Sequence, residues 1–251
     1  MNTLTKRNLL PIVLHRVVQD EVEEWEDINK NTFQEILYYM GSDFAILSPM
    51  GLIEGRGCLL TFDDGHLSDY EIVFPMLLKQ NLKATFFIVV DNVGKKNYLS
   101  WSQIQEMQQQ GMAIGSHSLS HKDMTKLSNE NVIKEFKQSK LILEDKLGIL
   151  ISSFSYPYGK CNFRLHKMGL SSGYSFLCTS NHGVINSQNS VLPRNSIYAN
   201  LDMNKIYKIM RPSNFQRLSW ILEDSSKSFF KSALSEEGYR KFRIQISRIF
   251  K

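Results

Sequence analysis

The chain has 251 residues, of which 42% are hydrophobic and 22% are charged, with 14 glycines and 6 prolines. These proportions exclude a disordered, collagen-like or low-complexity chain and are typical of a folded protein with a full apolar core. The three cysteines lie far apart in the sequence, which excludes a disulfide framework and a thiolate zinc site. The length predicts one large domain, with or without an appendage.

The net charge of +5 is concentrated at the C-terminal end of the chain. Residues 205–251 contain eleven Lys or Arg against four Asp or Glu. We therefore predict a main domain over residues 9–204 and a helical, basic extension over residues 205–251. Peripheral contact of residues 215–251 with an anionic membrane is one expectation for this extension, and packing on the domain or on a second subunit is the other. No nucleic-acid-binding module accompanies the basic residues, so nucleic acid is not an expected partner.

The N-terminal segment predicts a cytoplasmic protein. Its apolar run is short, and Pro11 and His15 interrupt it before any small-residue cleavage site, unlike in a signal peptide. The sequence also has no apolar stretch of the ~20 residues that a membrane-spanning helix needs. The expected location is therefore the cytoplasm, with peripheral contact at the inner face of the membrane through the basic extension.

Apolar, β-rich runs alternate with segments of helical spacing along most of the chain. In chain order the pattern predicts strand 9–14, helix 31–40, strand 58–62, helix 68–81, strand 84–90, helix 100–110, strand 112–115, helix 128–147, strand 154–156, helix 165–168, strand 174–178 and strand 191–194. Strands that alternate with helices are typical of a parallel sheet built from βα units. This number of units favours an incomplete (β/α) barrel over an open doubly wound sheet, although spacing alone does not decide between them.

Capping residues mark the ends of the longer predicted helices. Ser100 and Ser128 are the N-cap residues of two of them, and Gly111 and Gly148 stand where these helices should end. Pro75 predicts an irregularity within the helix between the second and third strands, because proline has no N–H to donate.

Polar side chains follow three of the predicted strands. Residues 61–65 (Thr-Phe-Asp-Asp-Gly) place two carboxylates after the second strand. Residues 115–121 (Gly-Ser-His-Ser-Leu-Ser-His) place two imidazoles four positions apart after the fourth strand. Residues 155–159 (Ser-Tyr-Pro-Tyr-Gly) form a sharp turn after the fifth. Functional groups in parallel α/β folds lie at the carboxyl ends of strands, so we expect these segments to form one site.

Two histidines and one carboxylate are a ligand set suited to a divalent metal with open positions for water and substrate. Of two adjacent carboxylates, one can bind the metal while the other accepts a proton from a bound water. A lone Asp-Asp-Gly is more often a turn, and a lone pair of histidines is more often a surface or core pair. Their joint occurrence at predicted strand ends, in this order, favours a functional metal site.

These motifs resemble those of the polysaccharide deacetylases, also called the NodB-homology or carbohydrate esterase family 4 domain. Residues 61–65 and 117–121 are similar to the first two signature motifs, and residues 154–159 (Phe-Ser-Tyr-Pro-Tyr-Gly) resemble the third. The similarity extends over roughly residues 9–200. It implies a distorted, incomplete (β/α) barrel that removes N-acetyl or other acyl groups from sugars. It also implies a divalent metal, usually Zn²⁺, with Co²⁺, Ni²⁺ or Fe²⁺ as alternatives.

The resemblance implies roles for individual residues. Asp63 matches the general base of the family, and the metal ligands match Asp64, His117 and His121. Tyr158 matches the position whose backbone N–H stabilises the oxyanion alongside the metal. Under this assignment the metal polarises the acyl carbonyl, Asp63 activates the water, and the N–H stabilises the developing negative charge.

Several features depart from the usual family pattern. Ser155 stands where many members have an Arg, and neither an Asp-x-x-Asp-Trp motif nor a late Leu-x-His element is present. Residues 11–17 resemble the first strand of the branch that includes poly-N-acetylglucosamine deacetylases, in which a His at this place serves as the late-motif histidine. We therefore assign His15 as the general acid, and the alternative is a strand-end His that only hydrogen-bonds a neighbour. Arg194 is predicted to replace the missing Arg in orienting Asp63.

Other residues are assigned from their positions. Tyr156, in the third motif, is placed on the substrate side of the site. Trp101 is predicted either to line a sugar subsite by stacking or to pack at the start of a helix. His66 follows the Asp-Asp-Gly turn and either approaches the site or is a loop side chain, and His166 and His182 are expected at the surface.

Two functions are compatible with these features. The first is a metal-dependent carbohydrate deacetylase acting on an acylated sugar in a polysaccharide, an oligosaccharide or a lipid-linked glycan. The second is a degenerate barrel that binds glycan or metal without turnover, which the missing third-motif Arg and fourth motif suggest. The intact carboxylate and histidine pairs favour the enzyme, because binding alone does not require both Asp63 and Asp64.

Overall fold

The computed structural model describes residues 9–20, 22–41, 44–55, 57–185, 189–199, 201–220 and 224. In chain order the strands are β1 (Leu10–Leu14), β2 (Arg16–Val18), β3 (Asp27–Asn29), β4 (Phe44–Leu47), β5 (Ile53–Gly55), β6 (Cys58–Phe62), β7 (Thr85–Ile88), β8 (Ala113–Ser116), β9 (Ser153–Ser155), β10 (Phe176–Cys178), β11 (Val191–Leu192) and β12 (Asn195–Ser196). The α-helices are α1 (Lys30–Met40), α2 (Phe74–Lys79), α3 (Trp101–Gln109), α4 (Asn129–Leu147), α5 (Phe163–Ser171) and α6 (Met203–Met210).

The main sheet is a path of parallel strands in the order β11, β10, β9, β8, β7, β6, β1 and β12. Helices α2 to α5 each connect one strand of this path to the next, which confirms the predicted βα alternation. Strand β4 pairs in parallel with β6 and antiparallel with β5, and β2 and β3 form a separate parallel pair. These short strands β2 to β5 lie in segments for which the apolar pattern predicted no strand.

The two ends of this path are consecutive in the chain. Strands β11 and β12 are separated only by Pro193 and Arg194, and within the described residues no backbone ladder joins them. The sheet therefore curls until its two end strands lie close together. Pro193 and Arg194 connect these strands, and no ladder among the described residues does, as in the predicted distorted, incomplete (β/α) barrel. The strand predicted over 191–194 is shorter in the structure and ends at Leu192, because Pro193 has no N–H to donate and the backbone leaves the ladder there.

Helix ends follow the predicted signals. Ser100 forms a capping box with Gln103 at the start of α3, and Ser128 accepts a hydrogen bond from the Asn131 N–H at the start of α4. Gly148 ends α4 with a left-handed φ of 66°. The irregularity predicted near Pro75 is a π-helical segment, Asp69–Val73, which runs directly into α2.

Alternate residues of the central strands enter two apolar clusters on opposite faces of the sheet. Leu59 of β6 and Phe87 of β7 belong to the cluster inside the barrel, whereas Leu60 and Phe86 belong to the larger cluster beneath the helices. The strands are thus buried on both faces, as in other parallel sheets. Gly115 of β8 faces inward, where a Cβ would lie 2.5 Å from the Phe87 ring, so a larger residue does not fit there.

Helix α6 packs on the domain. Its residues Ile206 and Met210 are buried. The ring of Tyr207 lies 4.3 Å from that of Tyr39 on α1, and the Arg211 guanidinium lies 5.0 Å from the same Tyr39 ring. The helix spans the predicted boundary between domain and extension, so the start of the extension is part of the packed structure.

The chain after α6 also contacts the barrel. Residues 214–220 are helical, and Trp220 is 3% exposed and stacks on His182 with ring centroids 5.4 Å apart. Asp224 lies 2.7 Å from the backbone nitrogen of His182, which donates to it, and 2.9 Å from His182 Nδ1. The expectation that His182 is a surface residue is therefore wrong, because a segment of the predicted extension covers it.

The opposite side of this last helix faces solvent. Phe215 and Leu218 are 82% and 63% exposed. Residues 225–251, in which most of the predicted membrane contact falls, lie outside the described part of the chain. In the part that is described, none of the helices has the length and apolar character needed to cross a membrane.

Replacing Trp220 with Ala tests whether this segment stabilises the domain. Because the indole is buried against His182, we expect the free energy of unfolding to fall by about 3–5 kcal/mol. Urea unfolding measures this loss. The exposed Phe215→Ala variant is the control and should change stability by no more than about 0.5 kcal/mol. Equal unfolding midpoints for Trp220→Ala and the wild type would show that the segment contributes nothing to the fold.

Candidate metal and catalytic site

The carboxyl ends of β1, β6, β8 and β9 form one rim of the barrel. These strands are parallel, so the residues that follow them lie at the same edge. His15 follows β1, Asp63 follows β6, and His117 follows β8. The register of β1 and β6 pairs Leu14 with Phe62, which places His15 beside Asp63. The structure thus brings the three polar segments of the sequence together.

Asp64, His117 and His121 place three potential ligand atoms close together. Asp64 Oδ1 lies 3.4 Å from His117 Nε2 and 3.2 Å from His121 Nε2. The two Nε2 atoms are 3.2 Å apart. Zinc bonds of about 2.1 Å in a tetrahedron place ligand atoms about 3.4 Å apart, so this spacing fits one divalent ion. Among the described residues, this is the cluster of His, Cys, Asp and Glu that could hold a metal.

The ring of His117 is oriented by the third motif. Its Nδ1 lies 2.8 Å from the carbonyl oxygen of Ser155. Because a carbonyl oxygen only accepts hydrogen bonds, Nδ1 carries the proton of the neutral ring and donates it to Ser155. Nε2 then keeps its lone pair on the side of Asp64, which is the orientation that metal-binding histidines need.

Left-handed backbone conformations are concentrated in the site. Six non-glycine residues in the described part of the chain have a positive φ, and four of them belong to the motif segments: Asp64, Ser118, His121 and Tyr158. Each such conformation costs about 1–3 kcal/mol and persists only where the surrounding structure imposes it. Backbone strain of this kind is typical of functional sites.

Arg194 holds the carboxylate of Asp63 inside the barrel. The guanidinium is fully buried and donates from Nη1 to Oδ1 and from Nη2 to Oδ2, both at 2.7 Å. Its remaining N–H groups donate to Ser155 Oγ, Thr61 Oγ1 and the carbonyl oxygen of Thr179. Ser155 Oγ donates in turn to Asp63 Oδ2 at 2.9 Å. Two parallel hydrogen bonds between charged groups are a strong and directional interaction.

The charges of the site set the protonation of its members. Burial raises the pKa of Asp63, but the charges of Arg194 and His117 lower it to about 2. Burial also raises the pKa of Asp64, but the neighbouring His117, His66 and His121 hold it well below its usual range, and His117 has the largest effect. Burial and the charge of His117 lower the pKa of His121 to about 4. Burial lowers the pKa of His117, but Asp63 and Asp64 raise it by more, so the net pKa is above its usual value. A metal ion and a proton therefore compete for Nε2 of His117.

Aromatic rings flank the two outer histidines of the site. His15 is half-buried, and its ring centroid lies 6.2 Å from that of Trp25. The charge of His15 is among those that lower the pKa of Asp63. The ring of Tyr158, which is 42% exposed, lies 4.6 Å from that of His121. The backbone of Tyr158 is left-handed, with φ of 59° and ψ of 9°, at the turn after β9.

Tyr156 and Trp101 are not part of this cluster. Tyr156 is fully buried, its backbone N–H donates to the Cys178 carbonyl, and its hydroxyl lies 2.9 Å from His166 Nδ1. The assignment of Tyr156 to the substrate side is therefore corrected, because alternate residues of a strand face opposite sides and this one faces the helices. His166 is half-buried by the same contact. Trp101 begins α3 and packs against the apolar core.

Sequence reasoning missed a buried ion pair beside the site. Lys160 Nζ lies 2.9 Å from Asp123 Oδ2, and both residues are less than 10% exposed. The pair connects the loop that carries His121 to the turn that carries Tyr158. The available sequence signal was a charged residue two positions after His121 and another two positions after Tyr158. His66 does approach the site, with Nε2 3.6 Å from Asp64 Oδ2.

The sequence profile of the polysaccharide deacetylase family matches residues 54–177. The protein YxkH of Bacillus subtilis (strain 168) is 32% identical over 125 residues, which are 50% of this chain and 45% of YxkH. The poly-beta-1,6-N-acetyl-D-glucosamine N-deacetylase of Staphylococcus aureus (strain MRSA252) is 28% identical over 162 residues, covering 57% of this chain and 53% of that protein. The chain thus spans about half the length of these curated relatives.

Solved structures share the fold over a larger part of the chain. The Streptococcus pyogenes deacetylase PplD in complex with acetate has a TM-score of 0.72 and 24% identity, covering 84% of this chain and 100% of that chain. IcaB from Ammonifex degensii has a TM-score of 0.69 and 23% identity, covering 82% of this chain and 97% of that chain. Residues 54–177 match the polysaccharide deacetylase family, so the family resemblance stated from the motifs is confirmed over this part of the chain.

Replacing Arg194 with Met leaves the Asp63 carboxylate buried without its cation. We expect the free energy of unfolding at neutral pH to fall by about 3–5 kcal/mol. A folded-state pKa of about 2, below the ordinary 3.8, gives the wild type stability that is lost only as pH falls towards 2. The variant raises this pKa, so its acid unfolding should begin at higher pH. Urea unfolding across the acid range measures both effects.

The matched control is Arg16→Met. Arg16 also makes two hydrogen bonds to a buried carboxylate, that of Asp27, at 2.6 and 2.8 Å. Asp27 keeps the backbone N–H donors of Glu23 and Glu24 when Arg16 is removed. A smaller loss of stability is therefore expected. Equal losses in the two variants, or an unchanged acid limb in Arg194→Met, would contradict the role of Arg194.

Proposed function

We propose that this chain is a metal-dependent carbohydrate deacetylase, a hydrolase that removes N-acetyl or other acyl groups from the sugars of a glycan. One observation carries the proposal: Asp64 and the two histidines converge beside a second, ionised carboxylate, Asp63, that a buried cation holds in place. The family domain at residues 54–177 and the named activity of the S. aureus relative support the reaction class.

Asp64, His117 and His121 would hold the metal. Two imidazoles and one carboxylate at tetrahedral spacing leave a fourth position open, which is typical of catalytic Zn²⁺, and Co²⁺, Ni²⁺ or Fe²⁺ bind similar sets. When bound, the ion supplies a Lewis acid for the acyl carbonyl and lowers the pKa of a coordinated water.

The protein supplies the proton transfers and part of the charge stabilisation. Asp63 is ionised at neutral pH and accepts a proton from the attacking water, while Arg194 keeps its oxygens in a fixed orientation. The backbone N–H of Tyr158 donates to the developing oxyanion. His15, on the same rim, donates a proton to the leaving amine nitrogen.

The aromatic rings of the rim favour a sugar substrate. Trp25 lies beside His15, and Tyr158 lies beside His121, so an apolar ring flanks each end of the proposed catalytic cluster. The C–H faces of pyranose rings are apolar and stack on such rings, while the sugar hydroxyls stay solvated. An acylated amino sugar within a glycan chain matches this arrangement.

Acetate release from N-acetylated glucosamine oligosaccharides tests the function. We expect the wild type to bind one equivalent of a divalent metal and to release acetate. Asp63→Asn should lower the rate by about 10²–10⁴-fold and keep the metal, because Asp63 moves a proton and is not a ligand. His117→Ala should lose the metal itself. Elemental analysis measures the metal, and an enzymatic acetate assay measures the reaction.

The control for Asp63→Asn is Asp145→Asn, the same change at an exposed position of α4. It should leave both the rate and the metal content unchanged. A folded wild-type protein without metal would contradict the proposal. A wild-type protein that holds metal and glycan but releases no acetate from a panel of acetylated and lipid-linked sugars would favour the alternative, a binding barrel without turnover.

We further propose that the helix at residues 214–220 contacts an anionic lipid surface. Phe215 and Leu218 are exposed on it, and the nearby cations Arg211 and Arg217 are exposed as well. Apolar side chains flanked by basic ones are the composition that interfacial helices use. Buried Trp220 anchors the opposite side of the helix to the barrel.

Co-sedimentation with vesicles tests this contact. The protein should pellet with phosphatidylcholine vesicles that contain phosphatidylglycerol and less with phosphatidylcholine alone, and salt should weaken the binding. The double variant Phe215→Ser/Leu218→Ser should release the protein, whereas Leu141→Ser, at an exposed leucine of α4, should not. Equal binding by all three proteins would refute the assignment of this surface.

A further inference from the structure

A buried carboxylate outside the ligand cluster contacts the loop between the two histidines. Glu135 of α4 is 6% exposed. Its Oε2 accepts hydrogen bonds from the backbone N–H groups of Leu119 and Ser120, both at 2.9 Å, and its Oε1 accepts one from the Ser120 hydroxyl. These two residues lie between His117 and His121. One side chain of α4 thus binds three donors of the loop that carries both histidines.

This loop has a backbone conformation that its own sequence does not favour. Ser118 and His121 have φ angles of 71° and 57°, although neither is glycine. Within the loop, Ser118 Oγ accepts a hydrogen bond from the His121 N–H at 2.9 Å. Left-handed conformations at such residues persist only when contacts from elsewhere impose them. Glu135 provides contacts of this kind from a regular helix.

Helix α4 also fixes the end of the strand that leads into the loop. Ser139 lies one helical turn after Glu135, and its Oγ accepts a hydrogen bond from Ser116 Oγ at 2.8 Å. Ser116 Oγ accepts a hydrogen bond from the Ser118 N–H at 3.2 Å. The same face of α4 therefore contacts both the last residue of β8 and the middle of the histidine loop.

We propose that Glu135 is a positioning residue for both histidine ligands. By binding the N–H groups of Leu119 and Ser120, it keeps the loop in the conformation in which the Nε2 atoms of His117 and His121 are 3.2 Å apart. Hydrogen bonds to an ionised carboxylate are stronger than those to a neutral group, which suits a loop that has to hold strain. The inference rests on the proposed metal site.

The variant Glu135→Gln tests this role at constant side-chain size. An amide oxygen in place of Oε2 keeps both backbone N–H bonds but without the charge of the carboxylate, and the NH₂ group in place of Oε1 can only donate to Ser120 Oγ, which reverses that hydrogen bond. We expect the loop to relax and the affinity for Zn²⁺ to fall by about 10–100-fold, the usual effect of losing a residue that orients ligands. Competition with a chromogenic chelator measures the affinity.

A spectrum separates positioning from general stability. The visible absorption bands of the Co²⁺-loaded protein depend on coordination geometry, and we expect them to change in Glu135→Gln. The matched control is Glu144→Gln on the same helix, because Glu144 Oε1 accepts the backbone N–H of Ile151 at 2.9 Å, in a loop without ligands. This control should keep wild-type affinity and spectrum.

The outcomes distinguish the two proposals. Wild-type affinity and spectrum in Glu135→Gln overturn the inference and leave the proposed function intact, as do equal losses in Glu135→Gln and Glu144→Gln. A wild-type protein that binds no metal overturns the proposed function and this inference with it. If Glu135→Gln does not fold, Ser120→Ala replaces it as the test of the inference, because this variant removes only the hydroxyl contact to Glu135. A smaller loss in the same direction supports the role of Glu135, and wild-type values overturn it.

Discussion

The buried ion pair between Arg194 and Asp63 connects the gap between the two end strands of the sheet to the candidate site at the rim of the barrel. Arg194 lies where the backbone leaves the ladder between β11 and β12, and its side chain fills the interior at that break. All of its N–H groups are used, on Asp63, Thr61, Ser155 and the carbonyl oxygen of Thr179. A buried charge that lost its partner would be strongly unfavourable. The ionised state of Asp63 therefore depends on how the surrounding chain is arranged, and that arrangement depends on the ion pair. The chain segments involved are the break between β11 and β12 and the ends of β6 and β9.

This interaction also accounts for the departure from the third motif. A cation against Asp63 lowers the pKa of this carboxyl, and that effect does not depend on which strand supplies the cation. A serine at position 155 is small enough to leave room for the guanidinium that enters from the other side. Its hydroxyl then accepts from Arg194 and donates to Asp63. The missing Arg of the motif is thus no sign of a degenerate site, because Arg194 supplies the charge.

How much could be read from the sequence depended on whether the signal was local. Strand β6 was predicted to the residue, because an apolar run ends abruptly at two aspartates, and the ends of α3 and α4 followed from their capping residues. The strand over 191–194 was predicted two residues too long, since a proline also occurs within edge strands and does not by itself mark the end of a ladder. Tyr156 was misplaced for a similar reason, because a motif does not reveal which face of its strand turns inward. Strands β2 to β5 were missed because they are only three or four residues long, too short for an alternating apolar pattern to be distinct.

The motifs identify which residues could bind a metal, whereas the fold determines whether their atoms meet. Asp64, His121 and Tyr158 all have left-handed backbones without being glycine, so the isolated motif segments would relax to other conformations. Tertiary contacts prevent this, among them the buried pair of Lys160 and Asp123, which connects the loop of His121 to the turn of Tyr158. None of these partners belongs to a signature motif. A sequence match can therefore transfer the identity of the ligands, but their spacing of 3.2 to 3.4 Å is a property of the whole barrel.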